Sequence, residues 1–225
     1  MSITESSPAT SPEALPLSAA FKQGSAELHD EAENSTFIEQ LMGGKVSLAG
    51  YVNYLKSLRV VYAALEEASR QHAADPIVAE LHDPALERLA TLDADIETLS
   101  TGAPEESLCQ LTEARAYAAR ITAAAEEDPV RLVAHHYTRY LGDLSGGLAI
   151  GRILARTYEL TEGLTFYDFA DIKAKTYKDG YRARLDALPL NDAQREAGVD
   201  EVRTAFRHNQ RNFAELGQDL AAYTR

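Results

Sequence analysis

The segment HHYTRYLGDLSGGLAIGR, residues 135–152, decides how the rest of the chain is interpreted. Its apolar and aromatic residues follow helical spacing, yet four glycines interrupt it: Gly142, Gly146, Gly147 and Gly151. A glycine inside a helix costs about 0.5–1 kcal/mol relative to alanine, so four of them cost roughly 2–4 kcal/mol. This cost indicates that something approaches the helix backbone more closely than side chains would allow.

The glycines form two pairs with a spacing of four residues, Gly142 with Gly146 and Gly147 with Gly151, so each pair follows one helix face. One interpretation is close packing against another helix through small residues. The other is a flat ligand that lies against the helix backbone, with the glycines also allowing the helix to bend. Asp143 stands in the same segment, and its carboxylate is either a solvated surface group or a polar group placed inside a pocket.

The rest of the chain predicts a single all-α domain, because no alternating strand pattern of useful length occurs. Residues 1–16, rich in Ser and Pro, are predicted to be a disordered tail, and residues 17–222 the helical domain. Ser47 and three Asp-Pro pairs, at 75–76, 83–84 and 128–129, are predicted to begin helices. Further helices are expected over 17–42, 107–126, 170–187 and 192–222, with a long loop over 161–169.

Composition excludes several classes of function. A net charge of −13 argues against general nucleic-acid binding. No uncharged apolar run approaches 18 residues, so no membrane span is expected, and the first residues do not have the composition of a signal peptide. The single cysteine, Cys109, cannot form an internal disulfide, which fits a cytoplasmic protein.

His29, within AELHDEAENSTF (26–37), is the candidate metal ligand among six histidines. Glu33 lies four residues later on the same helix face, and helical side chains lean toward the N-terminus, so its carboxylate can reach back toward the imidazole. This arrangement orients metal-bound histidines in proteins, although a simple surface pair has the same spacing. A di-iron bundle is excluded, because none of the six histidines has a glutamate three residues before it.

A basic segment, DIKAKTYKDGYRAR (171–184), stands out in this acidic chain, since five basic minus two acidic residues give a net charge of +3. Lys178 and Arg182 share a helix face, which suits them to hold a carboxylate, although a solvated face is the alternative interpretation. A second basic stripe is predicted on the last helix and consists of Arg203, Arg207 and Arg211.

Taken together, these features resemble the haem oxygenases. The segment YTRYLGDLSGG (137–147) is similar to the distal-helix signature of that family, and HDEAENSTF (29–37) resembles its proximal-helix segment. Two further blocks, VYAALEE (61–67) and AFRHNQRNF (205–213), match in the same order. The resemblance extends over about residues 17–222 and is to the soluble bacterial members.

The resemblance implies a helical bundle that holds haem, both cofactor and substrate, between a proximal helix and the glycine-kinked distal helix. It implies that His29 ligates the iron and that Glu33 orients it. Gly142 and Gly146 would let the distal helix pass close over the iron, and Asp143 would order the distal waters. The other haem-binding residues that it implies are Lys22, Tyr137, Gly147, Lys178, Arg182 and Phe206. The other members of the distal network that it implies are Tyr62, Arg139 and Asn209. Phe206 and Phe213 are expected to pack near or below the pocket.

The activity implied is oxidative cleavage of haem at a meso carbon to biliverdin, carbon monoxide and ferrous iron. Dioxygen is the oxidant, and electrons come from a separate ferredoxin- or flavodoxin-like protein or its reductase, because no flavin or nucleotide motif occurs. Two alternatives stay open. A non-catalytic haem-binding or storage protein would need His29 and the basic cluster but not Asp143. A thiaminase-like relative on the same fold would need neither His29 nor the glycine array.

Overall fold

The computed structural model describes residues 15–100 and 110–218. Within these ranges the chain is helical and forms no β-strand, which confirms the all-α prediction. The α-helices are α1 (Leu17–Glu33), α2 (Thr36–Met42), α3 (Leu48–Gln71), α4 (Pro76–Ala79), α5 (Leu89–Ser100), α6 (Thr112–Glu127), α7 (Pro129–Gly142), α8 (Leu148–Tyr158), α9 (Ala174–Asp186) and α10 (Asp192–Gln218). The predicted tail up to residue 14, residues 107–109 with Cys109, and the predicted helix end at 219–222 lie outside the described residues.

Several helices begin at the predicted positions, because a side chain caps the first turn of each. The side chains of Ser47, Asp75 and Asp128 each accept a hydrogen bond from a backbone amide of the following first turn, at 3.2, 2.8 and 3.0 Å. These bonds satisfy amides that have no partner within the helix. Asp83 caps a short 3₁₀ turn, Pro84–Leu86, so the prediction of a helix start is confirmed there only for a single turn.

Three predicted helices differ in extent. The helix predicted over 107–126 begins at Thr112 within the described residues, after Leu111 with a left-handed φ of 55°. The helix predicted over 17–42 is broken at Asn34, whose side-chain amide donates to the carbonyl oxygen of Asp30 at 2.7 Å. Such side-chain bonds compete with helical hydrogen bonds and here end α1. The helix predicted from about 170 begins only at Ala174, because the preceding residues form a turn in which the Ile172 amide donates to the Phe169 carbonyl at 2.9 Å.

The packing of the helices brings the segment with His29 and the segment with Asp143 against one helix, α10. Helix α10 packs against α1, α6 and α7, whereas α3 packs against α5 and α6. The helix that carries His29 and the helix that leads to Asp143 therefore lie against the same long helix. No helix in the described part of the chain is both long enough and apolar enough to cross a bilayer.

Candidate functional site at the glycine segment

The four glycines do not belong to one continuous α-helix. Residues Asp143–Gly147 form a π-helical turn that joins α7 to α8. Short π-helical insertions occur frequently at functional sites and are one of the identified causes of helix kinks. The predicted interruption of the helix is therefore present, and Asp143 is the first residue of the π turn.

The two glycine pairs face different surroundings. A Cβ atom added at Gly142 would meet no heavy atom within 4 Å, and one at Gly146 would meet only Ile150, at 3.9 Å. The interpretation of close helix packing is wrong for this pair, because nothing packs there. The backbone is instead accessible to a flat group, as the ligand interpretation requires.

Gly147 and Gly151 are small for another reason. An added Cβ would lie 3.5 Å from the ring of Tyr167 at Gly147 and 3.0 Å from the Tyr167 Cβ at Gly151. Tyr167 belongs to the 3₁₀ turn Thr165–Tyr167, within the loop predicted over 161–169. Close packing is therefore correct for this pair, although its partner is an aromatic side chain and not a helix. Gly147, predicted to bind haem, is buried on this packed side.

Asp143 is partly buried, with 13% of its side chain exposed. The hydroxyl of Tyr62, on α3, donates a hydrogen bond to its Oδ2. Arg139, one helical turn earlier, donates from Nε and Nη2 to the Tyr62 hydroxyl at 3.2 Å and from Nη1 to Asn209 Oδ1 at 3.0 Å. The structure thus brings the four residues predicted for a distal network into one connected cluster.

Burial and the neighbouring groups shift the pKa of Asp143 in opposite directions. Burial raises the pKa of Asp143 above its ordinary value, and the nearby guanidinium of Arg139 and the Tyr62 hydroxyl oppose that shift only in part. Burial also raises the pKa of Tyr62 well above 10.0, so its phenol stays protonated. Burial therefore makes Asp143 a weaker acid than an exposed aspartate.

His29 lies half-exposed on α1, between two carboxylates. Its Nε2 is 3.6 Å from Glu33 Oε1, and its Nδ1 is 3.9 Å from Asp30 Oδ1. Both distances exceed a hydrogen bond, so the imidazole is flanked by acidic groups but is not fixed by them. The ring of Phe206 lies 5.5 Å from the imidazole ring, which brings this predicted binding residue next to His29. Asp30 was missed by the sequence reasoning, which considered only the residue one turn later.

The predicted anion-binding residues lie on α1, α7 and α9, and one of them, Lys178, reaches the glycine segment. Lys178 Nζ donates to the hydroxyl of Ser145, within the π turn, at 2.9 Å. The positive charge of Arg182 lowers the pKa of Tyr137, although burial raises it more. Tyr137 in turn packs edge-on against Phe21, the neighbour of Lys22, with a ring distance of 5.2 Å. Lys22 itself is exposed on α1.

Only two of the three arginines in the second basic stripe are fully exposed. Arg203 donates to the Gly24 carbonyl at 2.9 Å and to Asp200 at 2.7 Å, so it fastens α10 to α1. All three residues of the predicted stripe lie on α10, but the guanidinium of Arg203 is engaged in helix packing. Arg207 and Arg211 are exposed, as predicted.

Two buried charged groups, Arg88 and Glu201, escaped the sequence reasoning. Arg88 donates to the Asp168 carbonyl at 2.7 Å and stacks over the Phe169 ring at 4.0 Å, so it holds the segment that follows the 3₁₀ turn. Glu201, on α10, accepts hydrogen bonds from Arg120, Arg131 and His135, the last at 2.9 Å. The partners are separated by 66 to 81 residues, and no local pattern in the sequence indicates such pairs.

The chain is similar to known proteins along most of its length. A family model described as "Heme oxygenase" matches residues 15–215. The chain is 32% identical over 207 residues to "Heme oxygenase" from Rhodella violacea, which covers 91% of this chain and 88% of the relative. It is 36% identical over 208 residues to "Heme oxygenase 1" from Nostoc sp., which covers 91% and 87% respectively.

Solved structures give the same result. The crystal structure of heme oxygenase-1 from Synechocystis sp. in complex with heme is 33% identical and superimposes with a TM-score of 0.84, covering 92% of this chain and 95% of that one. The heme oxygenase from Leptospira interrogans is 30% identical, with a TM-score of 0.81 and coverage of 89% and 100%.

Proposed function

Because this chain belongs to the haem oxygenase family, we propose that Asp143 is the proton-handling group in its oxidative cleavage of haem. One observation carries this assignment: a partly buried, hydrogen-bonded carboxylate adjoins Gly142, whose Cβ position is open space. A flat substrate at that open face would have the Asp143 carboxyl group close by. General acid–base groups contribute about 10²–10⁴-fold to rates when they are placed in this way.

The residues present fit haem as the substrate. The open backbone at Gly142 and Gly146 can accommodate a flat macrocycle, His29 offers an imidazole nitrogen for the iron, and the basic pair Lys178 and Arg182 can receive the propionates. When bound, haem supplies both the iron that activates dioxygen and the carbon that is oxidised. We propose that Glu33 orients the His29 ring and that Phe206 packs against it.

Neighbouring side chains position the carboxyl group of Asp143. Tyr62 fixes one oxygen of Asp143, and Arg139 holds Tyr62 in place while Asn209 anchors the guanidinium. We propose that the carboxyl of Asp143 passes its proton on through water, which keeps a strong acid from contacting the reacting oxygen directly. Products on this proposal are biliverdin, carbon monoxide and ferrous iron.

Electrons are proposed to come from an acidic ferredoxin- or flavodoxin-like protein or its reductase, with dioxygen as the oxidant. The basic segment 171–184 and the exposed Arg207 and Arg211 support this, since they contrast with the acidic remainder of the chain. Opposite charges steer such partners together. The single cysteine in 225 residues supports a reducing, cytoplasmic location.

The non-catalytic alternative is not favoured. A haem-storage protein needs an iron ligand and a basic cluster, but it gains nothing from burying Asp143 with Tyr62 and Arg139 beside an open backbone. Burying a carboxylate costs free energy unless hydrogen bonds compensate it. Haem storage does not explain why this free-energy cost is present.

Replacing Asp143 by alanine tests the proposal. The variant is expected to bind haemin with wild-type affinity, to lose biliverdin formation by about 10²-fold or more, and to oxidise added phenols when hydrogen peroxide is supplied. Asp143→Asn separates the charge of the carboxylate from its hydrogen-bonding shape, because it keeps the shape and removes the charge. Asp93→Ala, which removes an exposed carboxylate paired with Arg59, is the matched control. A normal biliverdin yield from Asp143→Ala would show that the carboxyl has no catalytic role.

A further inference from the structure

A series of aromatic rings in contact leads from the Asp143 cluster to α9. Tyr62, whose hydroxyl donates to Asp143, has its ring centroid 5.7 Å from that of Tyr140. The Tyr140 ring lies 4.5 Å from the imidazole of His136, which stacks on Tyr181 of α9 at 5.7 Å. These centroid distances are those of aromatic pairs in contact, so the rings form one continuous path.

The path continues to a half-buried tyrosine. Tyr177 lies one turn before Tyr181 on α9, so the two side chains share a helix face. Tyr181 is fully buried, whereas Tyr177 is partly exposed. The set Tyr62, Tyr140, His136, Tyr181 and Tyr177 is called the aromatic chain below. It connects the polar cluster at the π turn with the protein surface.

Three phenols of the aromatic chain are paired with a base: Tyr62 with Asp143, Tyr177 with Asp83, and Tyr181 with His136. The oxygen of Tyr177 lies 2.7 Å from Oδ2 of its partner, and that of Tyr181 lies 2.9 Å from Nδ1 of the imidazole. A phenol gives up an electron readily only where a base accepts its proton, because the oxidised phenol is a very strong acid. Bases therefore stand where the oxidation of these tyrosines requires them.

The pair of Tyr181 and His136 is suited to such a step. Burial lowers the pKa of His136 from 6.5 to about 3, and His82 lowers it further, so the ring is neutral. With its own proton on Nε2, a neutral imidazole offers Nδ1 as an acceptor to the phenol. Burial raises the pKa of Tyr181 well above 10.0, so its proton leaves only together with an electron.

We propose that the aromatic chain carries oxidising equivalents away from the haem site, and that Tyr181 together with His136 holds them. The inference rests on the proposed binding of haem at the open glycine face beside Asp143. The oxidant is a one-electron acceptor that hydrogen peroxide generates at the bound haem when the macrocycle is not cleaved. Transfer to Tyr181 spares the side chains of the site from oxidation.

Electron and proton leave Tyr181 by separate paths. Its O–H bond breaks, the electron passes through Tyr140 and Tyr62 to the oxidant, and the proton passes to His136 Nδ1. The oxidised phenol is a far stronger acid than an imidazolium, so the proton moves although burial disfavours the charged ring. A neutral phenoxyl radical results, and the oxidant is reduced by one electron.

A second transfer brings the radical to the partly exposed end. Tyr177 gives an electron to the Tyr181 phenoxyl and its proton to Asp83, while the proton on His136 restores the Tyr181 hydroxyl. An external one-electron reductant such as ascorbate then reduces the Tyr177 phenoxyl, which regains its proton from Asp83.

Electron paramagnetic resonance of the haem-loaded protein, frozen rapidly after mixing with hydrogen peroxide, tests the proposal. The wild type is expected to give a tyrosyl radical coupled to an exchangeable proton, identified by comparing ordinary and heavy water. Tyr181→Phe is expected to lose this signal, and Tyr51→Phe, the same change at another buried tyrosine, to retain it. A wild type without a tyrosyl radical would overturn the proposal. An undiminished signal in Tyr181→Phe would also overturn it, and would favour the path from Tyr62 through Phe166 to Tyr167.

Tyr177→Phe tests the second transfer at a position that is only half-buried, and it serves if Tyr181→Phe does not fold. Without Tyr177, the radical on Tyr181 is expected to decay more slowly in the presence of ascorbate than in Tyr51→Phe. Equal decay in the two variants would overturn the transfer to the surface.

Biliverdin formation with ascorbate in air, measured on the same proteins, separates this inference from the proposed function. Tyr181→Phe is expected to cleave haem at the wild-type rate. If the wild type makes biliverdin but its radical does not depend on Tyr181, the aromatic chain is refuted and the proposed function stands. If the radical forms on Tyr181 but the wild type makes no biliverdin, the proposed function fails and the aromatic chain stands.

Discussion

Exchanging two glycines of the same segment for alanine should have opposite effects, since Gly142 faces open space and Gly151 faces Tyr167. At Gly142, an added methyl meets nothing within 4 Å, so the haem-free protein gains the helix propensity of alanine, about 0.5–1 kcal/mol. For a domain of this size, that raises the melting temperature by about 1–4 °C. The same methyl would occupy the open face and weaken haem binding about tenfold, or 1.4 kcal/mol.

At Gly151 the balance is reversed. The added Cβ lies 3.0, 3.3 and 3.4 Å from three atoms of the buried Tyr167, and overpacking of this kind costs about 1–3 kcal/mol. After the gain in helix propensity, Gly151→Ala should be destabilised by roughly 0–2.5 kcal/mol, while its haem affinity stays near that of the wild type.

Two measurements on each variant decide this prediction: thermal unfolding of the haem-free protein followed by circular dichroism, and titration with haemin followed by difference absorption. The expected pattern is a more stable Gly142→Ala that binds haem weakly and a less stable Gly151→Ala that binds it well. Wild-type haem affinity for Gly142→Ala would refute the reasoning that this face is left open for the substrate.

Three further predictions concern the ligand, the basic cluster and a buried histidine. His29→Ala should lose turnover and regain part of it when free imidazole is added; full activity without imidazole would contradict the ligand assignment. Replacing Lys178 and Arg182 by alanine should give a mixture of biliverdin isomers by chromatography, since the macrocycle can then rotate in its plane, and an unchanged single isomer would argue against their role. Burial lowers the pKa of His208 from 6.5 to about 4, so its contribution to stability is complete above about pH 6.5 and is lost as the pH falls toward 4. His208→Phe should therefore reduce the slope of unfolding free energy against pH in that window by about 1.4 kcal/mol per pH unit, measured by urea denaturation, and an unchanged slope would disprove this.

The predictions from sequence succeeded where the physics is local. Ser47, Asp75 and Asp128 cap helices through bonds to amides two or three residues away, so the signal and its partner lie within one short stretch. The break at Asn34 depends on a side-chain bond that competes with the helix, and the apolar periodicity of 17–42 contains no sign of it.

Within the site, too, local patterns could be interpreted from the sequence, whereas contacts between distant segments could not. The glycine spacing indicated a special surface but could not tell which pair faces a ligand, because that depends on Tyr167, a residue of a later loop. The family resemblance brought Tyr62, Arg139 and Asn209 into the distal network, whereas Arg88 and the partners of Glu201 depend on contacts between distant segments. Such contacts are set by helix packing and not by any local pattern.

The central claim is that this enzyme consumes haem and does not merely hold it. Purified protein mixed with one equivalent of haemin and then reduced with ascorbate in air tests this most directly, with the Soret band followed by absorption and the product identified by chromatography. The account predicts that the Soret band disappears, that one biliverdin forms for each haem, and that neither happens under argon. Recovery of bound haem with its macrocycle intact from the aerobic sample would contradict the account.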